Sequence, residues 1–124
     1  MADKISTSNA PTAIGPYSQA VKVGNLVFTS GQIPINPETG AIEAQGIAEQ
    51  TEQVMKNLDA VLRAAGTDMK NAVKTTCFLA DMADFPTFNE VYGRYFTEKP
   101  ARSCASVKSL PKGALVEVEV IAEI

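Results

Sequence analysis

The chain has 124 residues, of which 45% are hydrophobic and 20% charged, and its formal net charge is −3. This size and composition suit one globular domain, which we expect to span residues 1–124. The acidic balance and the dispersed basic residues disfavour a nucleic-acid partner. Because histidine is absent, Ser-His and Cys-His nucleophile pairs are excluded and zinc sites are disfavoured.

No apolar run approaches the length of about 18 residues that a membrane span needs. The first nine residues also lack the apolar region of a signal peptide. We therefore expect a cytoplasmic protein without a membrane partner. In that reducing compartment Cys77 and Cys104, which fall in separate predicted strands, are expected to be free thiols.

The first part of the chain predicts an irregular arm followed by a hairpin. Residues 1–16 are polar and interrupted by proline, so this arm must be held by packing, and Tyr17 follows at its end. Residues 19–23 and 26–31 predict two strands, since Gly24-Asn25 between them is a strong two-residue hairpin signal. The turn-rich residues 34–40 then predict a loop.

Two helices are predicted, with one strand between them. Apolar residues recur at helical spacing from residue 46 to residue 65, and Gly66 is well placed to end that helix. Residues 72–80 predict a strand. The second helix, residues 85–96, carries an aromatic stripe that we interpret as core, with Asp84 as its N-cap and Pro86 tolerated in its first turn.

Two further strands are predicted at residues 101–108 and 115–124. The last strand has a wholly apolar face and a mixed face that includes Glu117. Alternation places Arg102 and Cys104 on the less apolar face of the other strand, so we expect them to share a sheet face with Glu117. That face is either an anion-binding pocket or a solvated surface with scattered charges.

The order of elements predicts an α+β fold, a mixed sheet with both helices on one face. The uncovered face is neither cleanly polar nor a core, which suggests that subunits bury their sheets against each other.

Four motifs with consistent spacing resemble the reactive-intermediate deaminase family, RidA, over essentially the whole chain. They are residues 13–20, residues 28–34, Asp84-Phe85 with Asn89 and Tyr92, and residues 100–104 through Leu110-Pro111 to 116–118. The resemblance implies a chorismate-mutase-like fold with a mixed six-stranded sheet. It also implies a homotrimer whose sheets form a central barrel, with active sites in the clefts between subunits.

The resemblance further implies hydrolysis of 2-imino acids and their enamine tautomers, which dehydratases dependent on pyridoxal phosphate release, to a 2-oxo acid and ammonia. Arg102 would bind the substrate carboxylate and Glu117 would activate water. Ser30, Gly31 and Cys104 would line the pocket through backbone groups, with Tyr17 and Asn89 closing it. No cofactor and no metal are expected.

The residue chemistry agrees, because a guanidinium binds a carboxylate bidentately and one carboxylate can deliver water to an imine. Other readings stay open at this point. Cys104 could be a nucleophile, Arg102 could only pair with Glu117 across subunits, Tyr17 could only pack, and Ser30-Gly31 could only be a strand-end bulge. The other functions considered are a chorismate mutase on the same scaffold and a regulatory, chaperone-like or RNA-acting role.

Overall fold

The computed structural model describes residues 2–124 and contains a six-stranded sheet with two α-helices. The strands are β1 (Asp3–Ile5), β2 (Ala20–Val23), β3 (Leu26–Thr29), β4 (Ala72–Leu79), β5 (Ala101–Ser106) and β6 (Val116–Glu123). The helices are α1 (Ile47–Ala64) and α2 (Phe85–Tyr95). The sheet order is β1-β2-β3-β6-β4-β5, antiparallel throughout except for the parallel pair β4 and β5. The predicted α+β fold with a mixed sheet is confirmed.

The arm is only partly irregular, which corrects the prediction for residues 1–16. Its residues Asp3–Ile5 form β1, which pairs antiparallel with β2 at the edge of the sheet. A three-residue edge strand carries almost no alternation of polar and apolar side chains, so backbone pairing rather than sequence pattern defines it. The hairpin that follows has the predicted turn, with Gly24 at a φ of 58°.

Both helices pack on one side of the sheet, which we call the helix face. The apolar stripe of α1 meets the side chains of β6 that point the same way, and α2 adds its aromatic residues beside them. Buried members of this core include Leu58, Leu62, Phe88, Val118 and Val120. Burial of each large side chain stabilises the fold by about 1.5–3 kcal/mol. The interpretation of the aromatic stripe as core is therefore confirmed.

The start of α2 differs in detail from the prediction. Asp84 occupies the N-cap position, but its side chain makes no capping hydrogen bond because a short 3₁₀ turn, Met82–Asp84, leads directly into the helix. The Asp81 side chain instead accepts a hydrogen bond from the backbone N–H of Ala83, at 2.9 Å. The turn before the helix, rather than the helix itself, has the side-chain cap.

The opposite side of the sheet, which we call the open face, has no helix from this chain. It carries Glu117, Glu119 and Ile121 of β6, beside Phe28 on β3 and Phe78 on β4. Phe28 remains 39% exposed. An exposed aromatic ring beside carboxylates is the mixed character that the sequence predicts for this face.

The expectation that Arg102 and Cys104 share a face with Glu117 is wrong. Cys104 is the register partner of Cys77, which is itself opposite Val118, so Cys104 lies on the helix face. Arg102 is two residues away and lies on that face too. The prediction assumed that the more apolar side of a strand is the buried one. That assumption fails here because β5 is an edge strand whose residues are nearly all exposed on both faces.

Candidate active site

A cleft of about 470 Å³ opens beside the end of β3, and we call it the Glu117 cleft. Its lining includes Tyr17, Ser30, Gly31, Glu117 and Glu119. Four of the residues that the sequence assigns to the site thus lie around one cavity. The two carboxylates come from the same strand two residues apart, so the cleft is acidic.

A β-bulge shapes the floor of this cleft. Phe28 pairs with Ile121, and Gln32 pairs with Val118. Three residues lie between the two pairs on the first segment and only two on β6, so one extra residue interrupts the pairing. The Thr29 hydroxyl accepts the hydrogen bond of the Val120 N–H, at 3.0 Å. The Ser30-Gly31 segment is therefore a bulge and also part of the cleft, so the two alternatives are compatible.

Ser30 and Gly31 have different structural roles in the bulge. The Ser30 hydroxyl donates to the Ser18 carbonyl at 2.5 Å, and its N–H donates to the Gln19 carbonyl at 2.8 Å. Gly31 lies against the Glu117 side chain. A Cβ at position 31 would be 2.8 Å from Glu117 Cδ and closer still to Oε2, so only glycine leaves the carboxylate where it is.

The environment of Glu117 favours the protonated carboxyl. Burial is the main cause that raises its pKa above the ordinary glutamate value, and the negative charge of Glu119 adds to it. No basic side chain within residues 2–124 forms a salt bridge with Glu117. A carboxylate that faces a cleft and has a pKa raised by burial is a candidate for proton exchange with a bound molecule.

Gln19 anchors the arm that forms one side of the cleft. Its side chain is 3% exposed and accepts from the Thr7 N–H at 2.7 Å. The same amide donates to the carbonyls of Thr7 at 3.0 Å and Pro11 at 2.7 Å. Tyr17, which is 53% exposed, lies just before this anchor and lines the cleft. The buried amide thus fixes the segment that leads to Tyr17, a role the sequence prediction missed.

Arg102 belongs to a second group of side chains, which we call the Arg102 cluster. It donates from Nη1 to Asn89 Oδ1 at 2.7 Å, and its guanidinium lies over Tyr92 and Phe85 at 4.8 and 5.3 Å from the ring centres. Tyr92 is in turn fixed by a 2.7 Å hydrogen bond with the Thr75 hydroxyl. Stacking of this kind holds the guanidinium plane through cation–π attraction.

Within residues 2–124, no carboxylate forms a salt bridge with Arg102. In the part of the chain that the structure describes, the salt bridges are Arg63–Asp59 and Arg94–Glu90, and neither involves Arg102. Because the side chain is exposed and already oriented, it can receive a carboxylate ligand without first losing a partner. The aromatic support from Phe85 and Tyr92 was interpreted from the sequence only as core.

Cys104 lies next to the Arg102 cluster as a half-buried free thiol. Burial raises its pKa, and the nearby Arg102 charge offsets this only in part. Burial also raises the pKa of its register partner, Cys77, to about 12. Both cysteines are therefore protonated at neutral pH, which opposes nucleophilic attack by Cys104.

The predicted site residues thus fall into two separate groups within the chain. Tyr17, Ser30, Gly31 and Glu117 line the cleft, whereas Arg102, Asn89 and Cys104 lie on or beside the helix face of β5. Residues 2–124 contain no group of three or more His, Cys, Asp or Glu side chains arranged to hold a metal ion. Over the same residues, neither α-helix is long and apolar enough to cross a membrane.

The six-stranded mixed sheet with two helices places the chain in a known class of small α+β proteins. The profile described as Endoribonuclease L-PSP matches residues 7–124. The human 2-iminobutanoate/2-iminopropanoate deaminase is 50% identical over 119 residues, which cover 95% of this chain and 87% of that protein.

Solved structures agree with this match. A Rid-family protein, YyfA of Yersinia pestis, has a TM-score of 0.97 at 50% identity, with all of both chains covered. The E. coli protein TdcF with bound serine has a TM-score of 0.93 at 44% identity, with 98% of each chain covered. The chain belongs to the Endoribonuclease L-PSP family, which includes the RidA deaminases, and the resemblance seen in its motifs is confirmed.

Proposed function

We propose that this protein hydrolyses 2-imino acids, and the enamines that tautomerise to them, to 2-oxo acids and ammonia. The proposal depends on two features of the chain, an unneutralised and preoriented arginine on β5 and, on the opposite face of the sheet, a carboxylate of raised pKa in a cleft. A 2-imino acid has a carboxylate that Arg102 can bind and an electrophilic carbon that a water held by Glu117 can attack. Relatives about 50% identical to this chain are named deaminases of 2-iminobutanoate and 2-iminopropanoate, which supports the assignment.

The two groups must come together for this chemistry, and a second copy of the chain can supply the missing half. Arg102 is on an edge strand and Glu117 is on the open face, so one subunit's β5 can approach its neighbour's cleft. We propose a homotrimer of chorismate-mutase-like subunits, with the open faces forming a central barrel. Burial of Phe28 and Ile121 in that barrel would account for the mixed character of the face.

In the proposed mechanism Arg102 binds the substrate carboxylate through two parallel hydrogen bonds, while Asn89 and the aromatic rings keep its plane fixed. Ionised Glu117 takes a proton from water as the oxygen attacks the imine carbon, forming a C–O bond and breaking the C=N π bond. The proton then passes to nitrogen. Glu117 then transfers the hydroxyl proton of the resulting carbinolamine to its nitrogen, and the C–N bond breaks to release ammonia as the C=O bond of the 2-oxo acid forms.

The remaining residues position the substrate and limit access. We assign Ser30, Gly31 and Cys104 to the pocket through their backbone groups, and Tyr17 to its mouth. Because such imines also hydrolyse unaided in water, a modest acceleration suffices, and neither a cofactor nor histidine is required. Dehydratases that use pyridoxal phosphate are the proposed source of the substrate, and a cytoplasmic location remains a prediction.

The alternative functions have less support in the residues of the site. A chorismate mutase would need a second cation for its dicarboxylate substrate, whereas the Glu117 cleft contributes Glu119 as a second anion. The family profile has an endoribonuclease description, but an acidic cleft repels phosphate and this chain has no histidine. We therefore favour the deaminase.

A coupled assay tests the proposal. A dehydratase converts serine or threonine to the enamine, and formation of the 2-oxo acid is followed with and without this protein while semicarbazide competes for the imine. We expect the protein to divert imine from semicarbazide to the 2-oxo acid, and the Arg102→Ala variant to lose this effect. Equal trapping with wild-type protein, variant protein and no protein would refute the assignment.

A further inference from the structure

One side of the Glu117 cleft is apolar and comes from the loop that follows the β3 bulge. Ile33 and Ile35 are half-buried and line the cleft together with Glu117. Between them, Pro34 is buried, and the Ile35 N–H donates to the Ile33 carbonyl at 2.8 Å. A hydrogen bond across a single intervening residue defines a γ-turn, and proline at its centre fixes one backbone torsion. The two isoleucines are therefore held in a defined relative position.

Asn57 of α1 holds this turn in place through two hydrogen bonds. It is 1% exposed, and its Nδ2 donates to the carbonyls of Ile33 at 3.2 Å and Ile35 at 2.9 Å. Its Oδ1 accepts from Gln53 Nε2 at 2.9 Å, so both ends of the buried amide are paired. A paired amide in the core holds a loop at a defined place, because moving the loop would leave buried polar groups without partners.

We propose that the Ile33–Ile35 turn is the wall that limits the size of the substrate side chain, and that Asn57 is the positioning residue that fixes this wall. The inference rests on the proposed deaminase function and names the determinants of its substrate range. A rigid apolar wall beside two carboxylates accepts a short aliphatic side chain. It excludes a branched one by its volume and an anionic one by repulsion from Glu119.

The test compares the rates of two imino acids, one with an ethyl and one with an isobutyl side chain. An amino-acid oxidase generates each imino acid in the reaction from the amino acid and dioxygen. Semicarbazide then traps the imino acid that this protein has not hydrolysed. Ile33→Ala and Ile35→Ala enlarge the cleft. We expect at least one of them to lower the ethyl-to-isobutyl ratio of kcat/KM by about tenfold, since a few methylene groups in an apolar pocket have effects of that order.

Asn57→Leu keeps the approximate volume and removes both donors, and it should lower the same ratio through a higher KM for the ethyl substrate. Asn57→Ser replaces it if the leucine variant does not fold. The control is Val61→Ala, because Val61 is fully buried on the same helix and lies outside the cleft. This control should lower the melting temperature and leave the ratio unchanged.

Different results separate the two proposals. If the ratio is unchanged in both isoleucine variants, the proposal that the Ile33–Ile35 turn limits side-chain size is wrong. If the ratio changes in those variants but not in Asn57→Leu or Asn57→Ser, only the positioning role of Asn57 is wrong. Wild-type protein inactive on both imino acids would instead refute the deaminase function and this inference with it.

Discussion

Arg102 and Glu117 project from opposite faces of the same sheet. Arg102 is the register partner of Thr75, which is buried under α2, while Glu117 is the partner of Phe78 on the open face. Phe78 lies three positions after Thr75 on the same strand, so their side chains point in opposite directions. A reaction that needs both groups therefore needs either a different pairing of strands or a second subunit.

Arg102→Lys should lose most activity although it keeps the positive charge. The planar guanidinium can bind a carboxylate through two parallel hydrogen bonds while it stacks on Tyr92 and donates to Asn89. The ammonium of lysine cannot make these three interactions at once. We expect a loss of about 1.5–3 kcal/mol in transition-state binding, the range for hydrogen bonds to charged groups. Measurement of kcat/KM checks this. Arg63→Lys, at an exposed helix position, is the matched control, and wild-type activity in Arg102→Lys would exclude bidentate binding.

Glu117→Gln should lower kcat by about 10²-fold or more, because glutamine keeps the shape of the side chain but cannot accept a proton. The same change should stabilise the fold at neutral pH. Since the folded state raises the pKa of Glu117, the associated stability is present below the ordinary glutamate pKa and lost as pH rises through the raised value. Kinetics and urea unfolding at two pH values measure the two effects, and retention of full activity would exclude Glu117 as the base.

The pH profile of the wild-type protein should report on Glu117 and its neighbour. The proposed mechanism requires the ionised carboxylate, so the acid limb of kcat/KM should lie above the ordinary glutamate range. Glu119→Gln removes the smaller of the two causes of the raised pKa and should move this limb to lower pH, while burial keeps it above the ordinary value. A limb that did not move, or moved upward, would contradict the coupling between the two carboxylates.

Gly31→Ala should impair activity through Glu117 rather than through the backbone. The added methyl would overlap the carboxyl group, so Glu117 must rotate away from the position in which we propose that it activates water. We expect kcat to fall by about tenfold or more, because small misplacements of a catalytic group are costly. Gly93→Ala, at an exposed position of α2, is the control, since no atom beyond its own helical backbone and chain neighbours lies within 4 Å of the added Cβ and the change should be neutral or stabilising. Equal activities of the two variants would refute the contact.

Cys104→Ala and Cys104→Ser should remain folded and keep most of the activity. The thiol is protonated at neutral pH because burial raises its pKa, and its proposed contribution is backbone geometry. Steady-state kinetics of both variants test this. Two inactive variants beside an active Glu117→Gln would instead indicate a covalent thiol adduct, which mass spectrometry of the intact protein would detect.

The sequence predicted those features that repeat with a regular period. The stripe of α1 and the apolar face of β6 extend over several turns or residues, so both elements were found within one residue of their observed ends. The strand β1 was missed because it is short and polar. The face of Arg102 was misassigned because an edge strand does not follow the rule that its more apolar side is buried.

For the site, the sequence motifs identified the residues but not their grouping. Which residues share a cleft depends on strand register and on the pairing of β4 with β5, neither of which has a local signal, whereas the bulge at Ser30-Gly31 was one of the interpretations that the sequence left open. The anchoring amides were also missed. Asn57 holds the Ile33–Ile35 turn, and Gln50 accepts a hydrogen bond from the Leu115 N–H at 2.9 Å through its Oε1. The two residues lie seven positions apart on the buried side of α1, and two amides inside an apolar stripe were an available signal for buried hydrogen bonds.

The most direct test of the shared site mixes two inactive variants, Arg102→Ala and Glu117→Gln. The purified variants are unfolded together and refolded in equal amounts, and the activity of the mixed oligomer is compared with that of each variant alone. If each site takes Arg102 from one subunit and Glu117 from another, about a quarter of the sites combine two intact halves, so about a quarter of wild-type activity should return. Mixed oligomers that form but stay as inactive as the separate variants would contradict a site built between subunits.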